Sequence, residues 1–336
     1  MKKNIFLYPK HNKFYGSPNP YIFDFHQELS KVHHIVNERA SGLGILNLFI
    51  YFFQTEIFIF NWIETLPLKR YGRFQFVGFG LFLWLARIFK KKIVWVLHNK
   101  GSHHQNDNKL VKKLFVLMIK SSDKIITHSE SGKSFVAETF PEYVDKVQVI
   151  MHPIRELFPI HHREKTTDFL IWGSVYRYKG IVKFLKYISS DSVERPFKVK
   201  IVGKCVDKEY QEEIEGFLDE NIEFCNEVLD LEEINTLAQE SKFILFTYNS
   251  DTVISSGSLI DSIRMGSQIM GPNHGAFKDL SYLSFVHRYE DFSRIPDLFA
   301  AYEMDDKKTK IEREAFYNGN NWGKFIERLD FVISNN

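Results

Sequence analysis
Residues 255–258 read Ser255-Ser256-Gly257-Ser258, a run of small and hydroxylated side chains. They follow a polar turn, 247–256, and open an apolar-periodic segment through Leu259, Ile260 and Ile263. The apolar run just before the turn, 243–246, has the pattern of a buried strand. The predicted order is therefore strand, small-residue turn, helix start. The first turn of a helix leaves backbone N–H groups unpaired and carries partial positive charge. Small residues let an anion approach those groups, so Ser256, Gly257 and Ser258 are candidates for a phosphate cradle. The same residues also describe an ordinary capped strand–helix turn, of which every α/β protein has several.

Two further stretches carry chemistry. Residues 173–180, GSVYRYKG, join a predicted strand at 169–172 to a predicted helix. Gly173 and Gly180 permit close backbone approach, and Arg177 and Lys179 supply cations that would neutralise a diphosphate. A surface loop with solvated charges is the other reading. His98 ends the apolar run 93–97, IVWVL. An imidazole there stands at the carboxyl end of a predicted strand, where ligands sit in such sheets, or else is a satisfied histidine at a strand end. His103 and His104 stand nearby, but no set of His, Cys and carboxylate singles out a metal site, and none is expected.

The elements that position these residues alternate. Strands are predicted at 5–8, 34–38, 56–62, 93–97, 124–127 and 147–151, with helices between them. The pattern restarts at 169–172 and continues through 199–202, 222–224, 243–246, 268–270 and 285–286. Such alternation implies parallel sheets covered on both faces, with ligands beyond the carboxyl ends of the strands. Residues 152–165 bear proline and lack periodicity, which suits a linker. The expectation is an α/β chain of two Rossmann-like, doubly wound domains, 1–152 and 166–310. A terminal stretch, 311–336, is expected to return as a helix to the first.

The chain has 336 residues, 44% of them hydrophobic and 15% aromatic, enough for two sizeable cores. Its formal charge is +2, from 44 basic and 42 acidic residues, so no nucleic-acid partner is expected. Only Cys205 and Cys225 are present, which suits a reducing compartment and argues against a disulfide framework. The apolar run near the amino terminus, 5–8, is too short for a signal peptide. Residues 74–89 form the most apolar stretch, interrupted by Gln75 and Arg87 and short of a membrane span of ~20 residues. They are expected to form a mostly buried helix with a basic end. The alternative is an amphipathic face that meets anionic lipid through Lys69, Arg70, Arg73 and the cluster at Lys90.

Taken in order, several pieces resemble glycosyltransferases of the GT-B fold, close to the GT4-type group. They are the loop Gly16-Ser17-Pro18-Asn19-Pro20-Tyr21, VWVLHN at 94–99, SDKIITHSE at 122–130, WGSVYRYKG at 172–180, SSGSLIDSIRMG at 255–266 and the tail NNWGKFIERL at 320–329. The resemblance implies two domains facing across a cleft, the second holding a nucleotide-diphosphate sugar. It implies transfer of that sugar to a glycan or lipid-linked acceptor in cell-surface polysaccharide synthesis, in the cytoplasm or at the inner membrane face, without a metal or other cofactor. Lys179 matches the lysine that grips the diphosphate. The arginine of that pair falls at Ser174, leaving Arg177 as a substitute. Of the two glutamates expected, one falls near Val253 and is absent, and the other is shortened to Asp261, a candidate for a ribose hydroxyl. His98 would meet the donor sugar and donate to a sugar hydroxyl or to the departing phosphate, and Gly16, Ser17 and Asn99 would line the donor or acceptor. Lys179, Arg177 and the helix start at Gly257 would take up charge on the leaving diphosphate as an oxocarbenium-like centre separates from it. Asp24, Glu28 and Glu130 are weak candidates for a base. A non-catalytic sugar-nucleotide-binding protein, or an epimerase or hydrolase on the same fold, are the alternatives.

Overall fold
The computed structural model describes residues 2–10, 20–40, 44–100, 108–190, 193, 196–248, 254–301, 303 and 305–334. The chain divides into two compact units, Met1–Pro153 with Trp322–Asn336, and Ile154–Asn321. The linker stretch from Ile154 onward therefore packs with the second unit, as do residues 311–321. Only the helix Trp322–Ser334 joins the first unit.

The first unit is built on β1 (Asn4–Tyr8), β2 (His34–Ile35), β3 (Ile57–Asn61), β4 (Lys92–Leu97), β5 (Lys124–Thr127) and β6 (Val147–Val149). They form a parallel six-stranded sheet in the order β2-β1-β3-β4-β5-β6. β3 is buried along its whole length, because helices cover both faces of a parallel sheet and leave no solvated side. Phe58, Phe60 and Trp95 are among the largest fully buried side chains. Trp322, Phe325 and Leu329 of the last helix close one side of this core against Tyr21, Phe25 and Leu29.

The second unit repeats the design with β7 (Thr167–Trp172), β8 (Val199–Val202), β9 (Ile222–Cys225), β10 (Ser241–Leu245), β11 (Gln268–Pro272) and β12 (Val286–Tyr289). Its order is β12-β11-β10-β7-β8-β9, again parallel throughout. The strand order reverses between β7 and β10. In open α/β sheets that reversal leaves a crevice at the carboxyl ends, where ligands bind. The turns after β7 and β10 are the two that carry the candidate cradle.

The helix Gly257–Met265 follows β10 and is fixed at both ends. Ser256 caps its start, its Oγ accepting from the Leu259 N–H. Gly266, at φ +80°, takes the left-handed conformation that closes it. The Arg313 guanidinium, from the helix Asp306–Asn320, donates to the carbonyls of Ile263, Arg264 and Phe158. A cation at the carbonyl end of a helix complements its dipole. Burial lowers the Arg313 pKa to about 10, and the three carbonyls are its compensation.

One expectation is overturned. The helix Gly72–Ile88 is not mostly buried. Phe79, Phe82, Leu83 and Ala86 face the core, but Phe74, Val77, Leu81, Trp84 and Ile88 are exposed. Hydropathy that runs all round a helix cannot tell which face a neighbour covers. Among the described residues no helix is long and apolar enough to cross a membrane.

Replacing Arg313 with Ala strands three carbonyls and uncaps the helix Gly257–Met265. The expected loss is about 3 kcal/mol, read as a lower urea midpoint.

Candidate functional site
In the second unit the sequence after β7 turns sharply at Gly173, at φ +92°. A Cβ added there would lie 3.3 Å from the Lys179 Nζ and 3.9 Å from the Ser258 Cβ. That backbone conformation and that crowding call for glycine. The following residues form a short 3-10 turn, Arg177–Lys179, and Gly180 (φ +70°) starts the helix Ile181–Ile188. Thr247, just past β10, donates its hydroxyl to the Lys179 carbonyl at 2.6 Å and ties the two turns together.

Lys179 is the focus of this site. It is 6% exposed, yet among the described residues its ammonium makes one long hydrogen bond, 3.5 Å to the Trp172 carbonyl, and lies 6.0 Å over the Tyr248 ring. Burial lowers its pKa from 10.5 to about 8. An ammonium wants three acceptors, so this one is underbonded among the described residues.

The start of the helix Gly257–Met265 lies close by. Ser256 and Ser258 share a hydrogen bond of 2.9 Å, and the Tyr248 hydroxyl reaches both, at 3.0 and 3.4 Å. The Ser255 hydroxyl is buried without a partner among the described residues. Gly257 is exposed, and a Cβ added to it meets nothing within 4 Å. Trp172 Nε1–H donates to the Ser262 Oγ at 2.9 Å, fixing the end of β7 to this helix. The arrangement presents an underbonded cation, hydroxyls and the positive end of a nine-residue helix to one place. A phosphorylated anion fits it.

Other residues expected at this site are held elsewhere. Arg177 is not available: its three nitrogens donate to Asp207, Glu213 and Glu209, at 2.9, 2.5 and 3.0 Å, and it stacks on Tyr210. These carboxylates hold its pKa above the usual range. Asp261 accepts from Arg264 at 2.8 Å, and that arginine also donates to the Glu156 carbonyl. Ser174 is exposed beside Gly173. Gly16, Ser17, His103, His104 and Val253 lie outside the described residues.

In the first unit His98 follows β4, buried to 7% exposure. Asn61 donates its amide N–H to the Tyr8 carbonyl, so its Oδ1 faces the imidazole and accepts from the His98 Nε2–H at 3.0 Å. Trp62 stacks on the ring at 4.2 Å. Burial, with His128 and His152 nearby, pushes its pKa well below 6.5. The ring is neutral, and Nδ1 is its lone-pair nitrogen. Nδ1 is therefore the acceptor of the ring, while Nε2–H is given to Asn61. Asn99, next in the chain, is half-buried.

The sequence reading passed over two more histidines at neighbouring strand ends. His128 follows β5, and its Nδ1–H donates to the Ile150 carbonyl at 2.9 Å while Tyr21 donates to its Nε2 at 3.0 Å. His152 follows β6, and its Nδ1–H donates to the Pro153 carbonyl at 3.0 Å. The three rings lie 5.0–5.2 Å apart, from His98 to His128 and from His128 to His152. Burial lowers His128 to about 3 and His152 to about 4. The recurrence of His just beyond β4, β5 and β6 was a usable signal. Glu64 was also missed: burial raises its carboxyl to about 7, whereas Glu28 is paired with Lys31 at the surface. Among the described residues no cluster of His, Cys, Asp and Glu could hold a metal ion.

No family model matches the sequence. No curated protein matches it either. Solved structures do resemble it. Anabaena HepE in complex with UDP-glucose aligns at a TM-score of 0.67 and 12% identity, over 99% of this chain and 100% of that one. The same protein with UDP and glucose gives 0.65 and 13%, with the same coverage. A glycosyltransferase from Rickettsia africae ESF-5 gives 0.62 and 14%, over 100% of both chains. At such identities the likeness is one of fold. The fold is GT-B, with two Rossmann-like domains.

Buried His98 and His128 and half-buried His152 fix a pH response. Their folded pKa values lie below the unfolded value of ~6.5, so the unfolded chain binds protons more tightly there. Their contribution to stability is complete above pH ~6.5 and falls as pH drops toward about 4 and then about 3. Thermal midpoints between pH 7.5 and 4.5 should fall, and His128→Phe should flatten that slope.

Proposed function
We propose that the chain is a glycosyltransferase, moving a sugar from a nucleoside-diphosphate sugar to a glycan or lipid-linked acceptor in cell-surface polysaccharide synthesis. The observation that carries this reading is the buried, underbonded Lys179 ammonium beside Gly173 and the start of the helix Gly257–Met265. A diphosphate would complete the hydrogen bonding of that ammonium and meet the Ser255 hydroxyl, which has no partner among the described residues. HepE was solved with UDP and with UDP-glucose, which makes uridine the first base to test. Val206 and Val228, exposed just beyond β8 and β9, offer apolar surface for such a base. Their two loops are joined by a 2.8 Å hydrogen bond from the Cys205 N–H to the Asn226 Oδ1.

In this mechanism the negative charge that grows on the leaving diphosphate falls to Lys179 and the helix N–H groups. They act strongly because they are fixed in place, and Lys179 is also held out of water. Arg177 has no part, since its acidic neighbours hold it. His98, with Nε2–H bonded to Asn61, offers Nδ1 to accept a hydrogen bond from a hydroxyl. The GT4-like grouping and a cytoplasmic location, which two unpaired cysteines suit, belong to the same proposal. Pairing of Asp261 with Arg264 favours a second reading, a protein that binds the sugar nucleotide without turning it over. Release of UDP from UDP-sugar in the presence of glycan or lipid-linked acceptors separates the two.

The test is a thermal-shift series with nucleoside diphosphates and their sugars. A ligand at 100 times its dissociation constant stabilises by ~2.7 kcal/mol. Lys179→Met should abolish that shift and yet raise the midpoint of the free protein, because a lysine whose pKa falls from 10.5 to about 8 on folding costs about 3 kcal/mol at neutral pH. Ligand affinity should weaken as pH rises above about 8. An unchanged shift in Lys179→Met would remove the assigned diphosphate site.

A further inference from the structure
The helix Gly72–Ile88 carries apolar side chains on two opposite sides. One set, Phe79, Phe82, Leu83 and Ala86, is in the core. The other, Phe74, Val77, Leu81, Trp84 and Ile88, recurs at intervals of three and four, which keeps it on one stripe of the helix. This stripe faces out: Phe74 is 80% exposed, Val77 69% and Trp84 59%. The stripe does not stop at the helix end. Phe89 packs edge-on against Phe53 at 5.5 Å, and Phe53 is itself 77% exposed. Folded proteins rarely leave a row of apolar side chains this exposed, and such patches mark interaction sites.

The charges around the stripe say what covers it. Lys69, Arg70 and Arg73 are exposed at one end, Arg87 and Lys90 at the other. None of the five makes an ion pair among the described residues. The sequence holds no Asp or Glu from 65 to 106, although the whole chain is nearly balanced at 44 basic and 42 acidic residues. A second copy of this chain is a poor occupant, because a symmetric pairing of the stripes brings these like charges together. A surface that is apolar within and negative at its polar margin fits them.

We infer that this face seats on the surface of an anionic lipid bilayer, with the helix lying in the interface plane. Apolar side chains of the stripe enter the acyl boundary, and the flanking cations meet anionic head groups. The helix has 17 residues, about 25 Å, and so lies on the bilayer without crossing it. This inference stands apart from the sugar-nucleotide reading, since it uses no residue of that site.

The experiment is sedimentation of the full chain with sucrose-loaded vesicles of phosphatidylcholine alone, or with about a third phosphatidylglycerol. Two variants are compared with the parent chain: Phe74→Ser with Leu81→Ser and Trp84→Ser, and Arg73→Glu with Arg87→Glu. All five positions are exposed, so folding should persist, checked by far-UV circular dichroism. The parent chain should partition to the anionic vesicles at least tenfold better than either variant, and should release in about 0.5 M salt. The proposal fails if the parent chain does not pellet above its lipid-free control, or if the triple-serine variant pellets equally well. It also fails if the stripe instead supports a concentration-dependent dimer, seen by sedimentation equilibrium and lost in the triple-serine variant, with no affinity for vesicles.

Discussion
Everything at the second unit's crevice is arranged around an ammonium held out of water. Burial moves the Lys179 pKa to about 8, so the folded protein keeps the charge at neutral pH only at a cost in stability. A chain under pressure for stability alone would fill this place with an apolar side chain. The surroundings are shaped to keep the cation there. Gly173 gives it room that any side chain would take, and Thr247 holds its backbone from the other side of the strand-order reversal. Hydroxyls and helix N–H groups complete a positive pocket with a missing partner. That deficit is the physical basis for reading the site as a place for a diphosphate.

The helix that supplies those N–H groups is itself held from behind. Arg313 binds the carbonyls of its last turn, and Trp172 is bonded to Ser262 on its flank. A helix start is useful for binding only if the helix cannot shift when charge arrives. Here the far end and one side are fixed by groups the ligand would not touch.

Much of this was legible before any coordinates. The alternation of apolar runs and periodic segments gives both parallel sheets, because buried strands and amphipathic helices differ in period. Lys179 was found because it stands between a strand-ending glycine and a helix-opening one. Arg177, two positions earlier, could not be told from it. Its fate rests on Asp207, Glu209 and Glu213, some 30 residues later in the chain and adjacent only once β7 and β8 pair. The helix Gly72–Ile88 failed differently. Its sequence is apolar nearly all round, and local pattern cannot say which side the first sheet covers. His98 was noticed by its place at a strand end, but its tautomer depends on how Asn61 is turned, and Asn61 is turned by Tyr8.

The last helix, Trp322–Ser334, sits in the core of the unit that begins at the chain's other end. Chains emerge from the ribosome amino end first, and domains tend to fold as they emerge. The unit translated first therefore waits, with Tyr21, Phe25 and Leu29 uncovered, until the unit translated second is complete. Arg313, which steadies the helix Gly257–Met265, also arrives late. The order of synthesis and the order of completion are thus reversed, and a nascent chain carries uncovered apolar surface in the unit it made earlier.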